Sequence, residues 1–184
     1  MEKKWIIIAS LVGLILIIFL TYRSNFNKAN EYQKQVDKTW ANVQSSYQRR
    51  ADLIPQLVAT VKGAAANERG ILTTVTEARA GIVNAKTPED MELMGKKINT
   101  AINLAFEAYP QIRSTENFKD LQAQLEGTEN RINYARNEYN DAVNLYNTQI
   151  TGFINETLLS KTRFPQKEPF KAAEGSEKAP EVKF

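Results

Sequence analysis

Apolar residues follow two different rules along this chain. From Trp5 to Tyr22 there are eighteen residues without a charge, apolar on every side. Beyond residue 30 the apolar positions recur in alternating steps of three and four. A first run holds Val36, Trp40, Val43, Tyr47, Ile54, Val58, Val61, Ala65, Leu72, Val75 and Ile82. A second holds Met91, Met94, Ile98, Ala101, Ala105 and Tyr109. The third is the most regular: Phe118, Leu121, Leu125, Thr128, Ile132, Ala135, Tyr139, Ala142, Tyr146, Ile150 and Phe153. Such steps keep one face of a helix in register, and no stretch alternates with period two over a strand's length. The pattern predicts an all-α protein. Each run is polar on its remaining faces, so the stripes must close on one another as a long helix bundle.

Breakers place the boundaries. Ser24–Asn30 is polar and reads as a hinge between the apolar segment and the first run. Thr87-Pro88-Glu89-Asp90 reads as a helix start, with a capping threonine, proline at the first helical position and acid in the first turn. Pro110 closes the second run, and Ser114 or Thr115 can cap the third ahead of Glu116. Pro55 lies inside the first run, where it removes a backbone donor. A kink at Pro55, a corner there and a corner near Gly63–Gly70 are all compatible with the pattern. A corner would divide the run and raise the number of bundle helices to about four. The period is lost after residue 160, and prolines 165, 169 and 180 fall among mixed charges. Disorder is the default expectation for such a tail, although Phe164, Phe170, Val182 and Phe184 allow partial docking. The chain therefore divides into an N-terminal segment (1–24), a helical bundle (25–160) and a tail rich in proline and charge (161–184).

As a helix, Trp5–Tyr22 spans roughly 27 Å at about 1.5 Å per residue, close to the ~30 Å of a hydrocarbon core. Leu11, Leu14 and Phe19 would face lipid, Trp5 and Tyr22 fall where interfacial aromatics belong, and Lys3, Lys4 and Arg23 flank them. A cleaved signal peptide would have a shorter apolar region, and Thr21-Tyr22-Arg23-Ser24 is a poor cleavage site. The expectation is a retained single-pass anchor in the cell membrane. Positive charge on both flanks leaves its orientation undecided, and the habit of short N-terminal tails to stay inside favours an extracytoplasmic bundle.

Charge changes the picture less than the sequence pI near 9.0 suggests. Residues 1–24 and 161–184 each carry +2, which leaves the bundle at −1 of the total +3. No basic stripe tracks a phosphate backbone, so nucleic acid is not an expected partner. The chain has no histidine and no cysteine. Di-iron bundle chemistry, zinc hydrolysis and histidine- or cysteine-based nucleophiles are thereby excluded. No cofactor or metal is expected, nor is an enzyme.

Two polar constellations remain. Glu126, Asn130, Asn133, Asn137, Asn140, Asn144 and Asn147 recur at steps of four and three, roughly 130° around the third helix from its apolar stripe. Asparagine is a mediocre helix former, so a stripe of it is not explained by propensity. It reads either as an exposed helix back or as a docking face with paired donors and acceptors. The second constellation is a charged knot of Arg49, Arg50 and Asp52, which Glu126, Glu129 and Arg131 could oppose. Ion pairs that set helix register account for it, and an anion site around Arg49 and Arg50 is the functional alternative.

RRADLIPQLVATVKG (49–63), TEARA (76–80), LQAQLEGTENRINYARNEYNDAVNLYN (121–147) and the closing EVKF together resemble the bacterial LemA family. The resemblance implies an N-terminal transmembrane helix followed by four long antiparallel helices, which favours a corner in the first run. It carries over no catalytic residues. Where many relatives have Phe-Pro-x-Asn-x-Ile, this chain reads RFPQKEPFK (163–171), a departure that counts against a membrane- or partner-docking role there. The leading expectation is a membrane-anchored interaction or scaffold protein, held in the bilayer by its first helix and binding an unknown membrane protein. Lateral self-association and a small-anion-binding module are the alternatives.

Overall fold

A computed structural model of the chain describes residues 2–60, 65–108 and 116–171. Among these residues five helices follow in order: α1 (Glu2–Thr60), α2 (Ala65–Asn84), α3 (Pro88–Ala108), α4 (Glu116–Thr151) and α5 (Phe153–Leu158). Among the described residues there is no strand. The described residues form two compact units, one of residues up to Ala41 with Asp141–Lys167, the other of those between Asn42 and Asn140 with residues 168–171.

The second unit is an antiparallel helix bundle. Gln44 of α1 donates its amide to the carbonyls of Ile82 (3.2 Å) and Ala85 (3.4 Å), while Asp52 meets Arg79 at 2.8 Å. Rising numbers on α1 therefore meet falling numbers on α2. The same reversal joins α2 to α3, where Glu77 meets Lys97 at 3.8 Å and a Cβ added at Gly81 would fall on the Met94 thioether. Arg50 with Glu129, and Tyr47 with Arg136, join α1 to α4 with the same reversal. The apolar stripes close inside this frame: Val43, Tyr47, Ile54, Val75, Ile82, Met91, Ile98, Leu125 and Ile132 are all buried. Thr87 and Asp90 start α3 as expected. Thr87 Oγ1 accepts from the Asp90 N–H (3.1 Å), and the Asp90 carboxylate accepts from the N–H groups of Lys86 and Thr87 (3.2 Å each).

The first unit packs α1 up to Ala41 with α4 from Asp141, α5 and the chain to Lys167. Its core holds Ala29, Val36, Val143, Tyr146, Ile150, Leu159 and Phe164. Thr39 is buried and returns its hydroxyl to the carbonyls of Gln35 and Val36 (3.1 and 3.0 Å), so its presence in the core leaves no hydroxyl unsatisfied.

Four sequence expectations need correction or completion. The Ser24–Asn30 hinge does not form: α1 is helical through it, because its residues include no glycine or proline and Ala29 is buried. Pro55 neither ends α1 nor makes a corner; the helix continues to Thr60, where α2 begins after residues 61–64. Gly63 lies outside the described residues, as do Val61, Tyr109, Pro110, Ser114 and Thr115. Phe153, assigned to the apolar stripe of the third run, is 94% exposed. Gly152 leaves the helical backbone (φ −59°, ψ 144°), so the helical phase is reset between α4 and α5 and Phe153 no longer follows Ile150. The tail up to Lys171 is packed: Phe164 and Phe170 are buried, while Val182 and Phe184 lie outside the described residues.

Candidate functional site

The asparagine stripe on α4 has a structural task at two of its positions. In the second unit, Asn140 donates its amide N–H to the carbonyl of Phe170 (3.0 Å) and accepts from the Phe170 N–H (2.8 Å). Its neighbour Tyr139 donates to the carbonyl of Glu168 (3.1 Å). In the first unit, Asn147 does the same for Lys167, donating to its carbonyl (2.8 Å) and accepting from its N–H (3.0 Å). Its neighbour Tyr146 donates to the carbonyl of Pro165 (2.9 Å). A carboxamide carries one donor and one acceptor edge side by side, so it satisfies both backbone groups of one residue much as a neighbouring strand would. Each Tyr–Asn pair thus reads a carbonyl at one residue and both backbone groups two residues later.

The tail sequence suits this device. Pro165 and Pro169 have no N–H to satisfy, and each biases the residue before it away from helix. The groups the clamps engage are those the prolines leave available. Arg136 completes the second unit's clamp. Its guanidinium meets Glu92 at 2.8 Å, donates to the carbonyl of Lys171 (3.2 Å) and lies over the Phe170 ring at 4.8 Å. Tyr139 meets Phe170 edge-on at 5.4 Å. In the first unit Phe164 stands edge-on to Phe26 at 5.3 Å, beneath the Arg163 guanidinium. Burial raises the Tyr146 hydroxyl above its ordinary pKa, with the Asp37 charge adding to the shift and Arg163 opposing it.

Asn130, Asn133, Asn137 and Asn144 are exposed, as is Glu126, which receives the Gln122 amide one turn back (3.3 Å). The stripe is therefore not one uniform face: Asn140 and Asn147 serve the chain's own tail, and the remainder meets solvent. The charged knot also divides. Arg50 turns inward, 13% exposed at its side chain, and pairs with Glu129; burial lowers its pKa, but a guanidinium keeps its charge throughout the ordinary pH range. Asp52 pairs with Arg79 on α2, away from α4. Arg49 and Arg131 stay outside and meet in a groove.

That groove belongs to the second unit. It is open, about 480 Å³ in volume, and lined from α1 by Asn42, Ser45, Ser46 and Arg49 and from α4 by Asn130, Arg131, Tyr134 and Glu138. Tyr134 is 66% exposed at its edge, and its hydroxyl bonds the Glu138 carboxylate, which raises the tyrosine's pKa. The lining offers two fixed cations, one carboxylate, hydroxyls, amides and one aromatic ring. It can hold a polar segment in place. Among the described residues no cluster of acidic side chains could hold a metal ion. At the N-terminal end, Trp5, Leu11, Leu14, Phe19 and Tyr22 are exposed, and none of the apolar window of α1 is buried in the molecule. By length and composition it is a candidate membrane span.

Residues 39–184 match the profile of the LemA family, well over half of the chain. The chain belongs to the LemA family. It is also similar to Protein LemA of Metamycoplasma hominis, with 20% identity over 176 residues that cover 94% of this chain and 80% of that protein. In this LemA-family chain the matched region contains both Tyr–Asn pairs, the segment they hold and the whole of the groove. The sequence pattern alone did not single out Tyr139, Tyr146 or Arg136. The two tyrosines lie on the apolar stripe and are buried in the core as its spacing predicts. The signal that separates them is the Tyr-Asn dipeptide repeated after seven residues, at 139–140 and 146–147.

Proposed function

We propose that this LemA-family chain is a membrane-anchored interaction protein that engages a segment of a membrane-protein partner in the groove between α1 and α4 of its second unit. The single observation that carries the reading is Tyr134, an aromatic ring two-thirds exposed beside Arg49 and Arg131 at an open, hydroxyl- and amide-lined groove. Tyrosine and arginine are the side chains most often found at the energetic centre of protein interfaces. The partner face is thus the Asn130 end of the stripe, with exposed Asn133 and Asn137 on the same helix. Asn140 and Asn147 are held by the tail. An apolar helix exposed on every side supports insertion of Trp5–Tyr22 in the cell membrane as a single span. The anion-site alternative loses Arg50 to Glu129 and rests on Arg49 with Arg131.

A photo-crosslinking residue placed at Ser45 or at Tyr134 in the full chain, in its native membrane, tests the proposal against the same residue at exposed Lys119. Adducts to one other protein from the groove positions alone, lost when Arg131→Glu is added, are the expected result. Adducts no stronger than those from Lys119 overturn it, and adducts between two copies of the chain establish lateral self-association in its place.

A further inference from the structure

The short helix α5 does something the bundle does not require. Phe153 is 94% exposed and Ile154 54% exposed, adjacent at its start. They line an almost wholly apolar furrow of about 360 Å³ whose other wall is Ile17, Ile18 and Thr21 of α1. The opposite side of α5 is fastened to the first unit. Asn155 is buried and donates to the carbonyl of Gln149 (2.6 Å), Leu159 is buried and donates its N–H to the carbonyl of Asn155 (2.8 Å), and Glu156 pairs with Lys161 (3.1 Å). The phase reset at Gly152 is what turns Phe153 out of the core stripe. An aromatic and a branched aliphatic side chain are thus held in fixed positions, facing outward.

We propose that α5 is a second membrane contact, with Phe153 and Ile154 seated among the upper acyl chains of the bilayer beside the spanning helix; the proposal rests on the reading of Trp5–Tyr22 as a membrane span. The depth follows from the neighbours. Ile18 and Ile17 lie four and five residues before Tyr22, which puts them about 6 and 7.5 Å inside the uncharged run at about 1.5 Å per residue. A helix lying in the interface buries its apolar face by roughly 5–10 Å. The furrow is continuous with the lipid-facing surface of α1, so the medium that covers Ile17 and Ile18 also covers Phe153 and Ile154. Glu156 and Lys161 remain on the side of the headgroups and water, as a residue pair at an interfacial helix requires. Two contacts at one end of the unit would hold its orientation to the bilayer, which a single helix leaves free to swivel.

The chain has no cysteine, so each introduced thiol carries a unique label. Full-length Phe153→Cys, Ile154→Cys, Leu14→Cys and Asn144→Cys variants, each labelled with an environment-sensitive fluorophore, are reconstituted in phosphatidylcholine–phosphatidylglycerol vesicles. Quenchers are placed either high on the lipid acyl chain or, as iodide, in water. Labels at 153, 154 and 14 are expected to shift to the blue and lose emission to the lipid-borne quencher, and the label at 144 to iodide alone. Labels at 153 and 154 that behave like 144 while 14 stays lipid-quenched overturn the proposal and leave the anchor intact. A label at 14 that escapes the lipid-borne quencher overturns the anchor reading and this proposal with it. Shielding at 153 that grows with protein concentration assigns the furrow to a second copy and overturns the lipid contact.

Discussion

At the scale of single residues, the most consequential side chains are amides that behave as backbone. Asn140 takes both hydrogen-bonding groups of Phe170, a task for which aspartate has only the acceptor half. Asn140→Asp removes the donor and sets a carboxylate against the Phe170 carbonyl. The expected cost is about 1–3 kcal/mol, the range for a partly buried polar group left unpaired. Tyr139→Phe, which removes one donor to the Glu168 carbonyl, is expected to cost about 1 kcal/mol. Denaturant midpoints measure both, and hydrogen exchange at the Phe170 amide should rise in Asn140→Asp. An unchanged midpoint with unchanged exchange would mean that apolar burial of Phe170 alone holds this segment. Arg136 acts at the same scale by a different route, since one guanidinium serves a carboxylate, a carbonyl and a ring together.

At the scale of elements, two glycines show how helix propensity yields to packing. Alanine is about 1 kcal/mol better than glycine inside a helix, so Gly81→Ala and Gly95→Ala would both stabilise an isolated peptide. In the bundle a Cβ at Gly95 would lie 2.7 Å from Cε1 of the Tyr47 ring, which is buried and engaged with Arg136. A rigid buried ring cannot yield cheaply, and Gly95→Ala is expected to destabilise the fold by about 1–3 kcal/mol. At Gly81 the added methyl meets the thioether of Met94, a half-buried, unbranched side chain that can take another rotamer. That substitution should stay near neutral. Thermal denaturation of the pair decides the matter: equal Tm values would mean that the α1–α3 approach at Tyr47 is looser than its geometry. The ion pair of Arg50 with Glu129 belongs to this scale too, fixing the register of α1 on α4 and taking no part in the open groove.

At the scale of the whole molecule, the titrating groups define a wide plateau. Tyr47 and Tyr146 have pKa values raised chiefly by burial. Their stabilising effect is complete below the ordinary tyrosine value near 10, and it is lost as pH rises from there through the folded values. Asp90 has its pKa lowered, first by the Lys86 N–H and then by Thr87. Its contribution is present above the ordinary carboxylate value near 4 and is lost as pH falls through the folded value. No histidine titrates between these limits. Tm is therefore expected to stay flat from about pH 5 to about pH 9 and to fall on both sides. Tyr146→Phe should remove part of the alkaline decline, because the group that resists ionisation is then absent; a transition near neutral pH would contradict the scheme.

The sequence by itself determined that the apolar runs are helical, that their stripes close on one another, and that a helix starts at Thr87, because a repeat of three and four allows one local geometry and a proline after a threonine marks one boundary. It also marked the asparagine stripe and the charged knot as positions needing explanation. It could not divide the stripe into amides held by the tail and amides facing water, since every one of them sits at the same phase of the same helix. That division was made only when residues 165–171 came to lie against α4, a pairing between segments far apart in sequence whose hydrogen bonds leave no periodic trace. Phe153 marks the same boundary: its spacing from Ile150 assigns it to the core, and a single extended residue at Gly152 turns it outward. Local pattern carries information about faces of a continuous helix, and only tertiary structure decides which face a broken helix presents and to what.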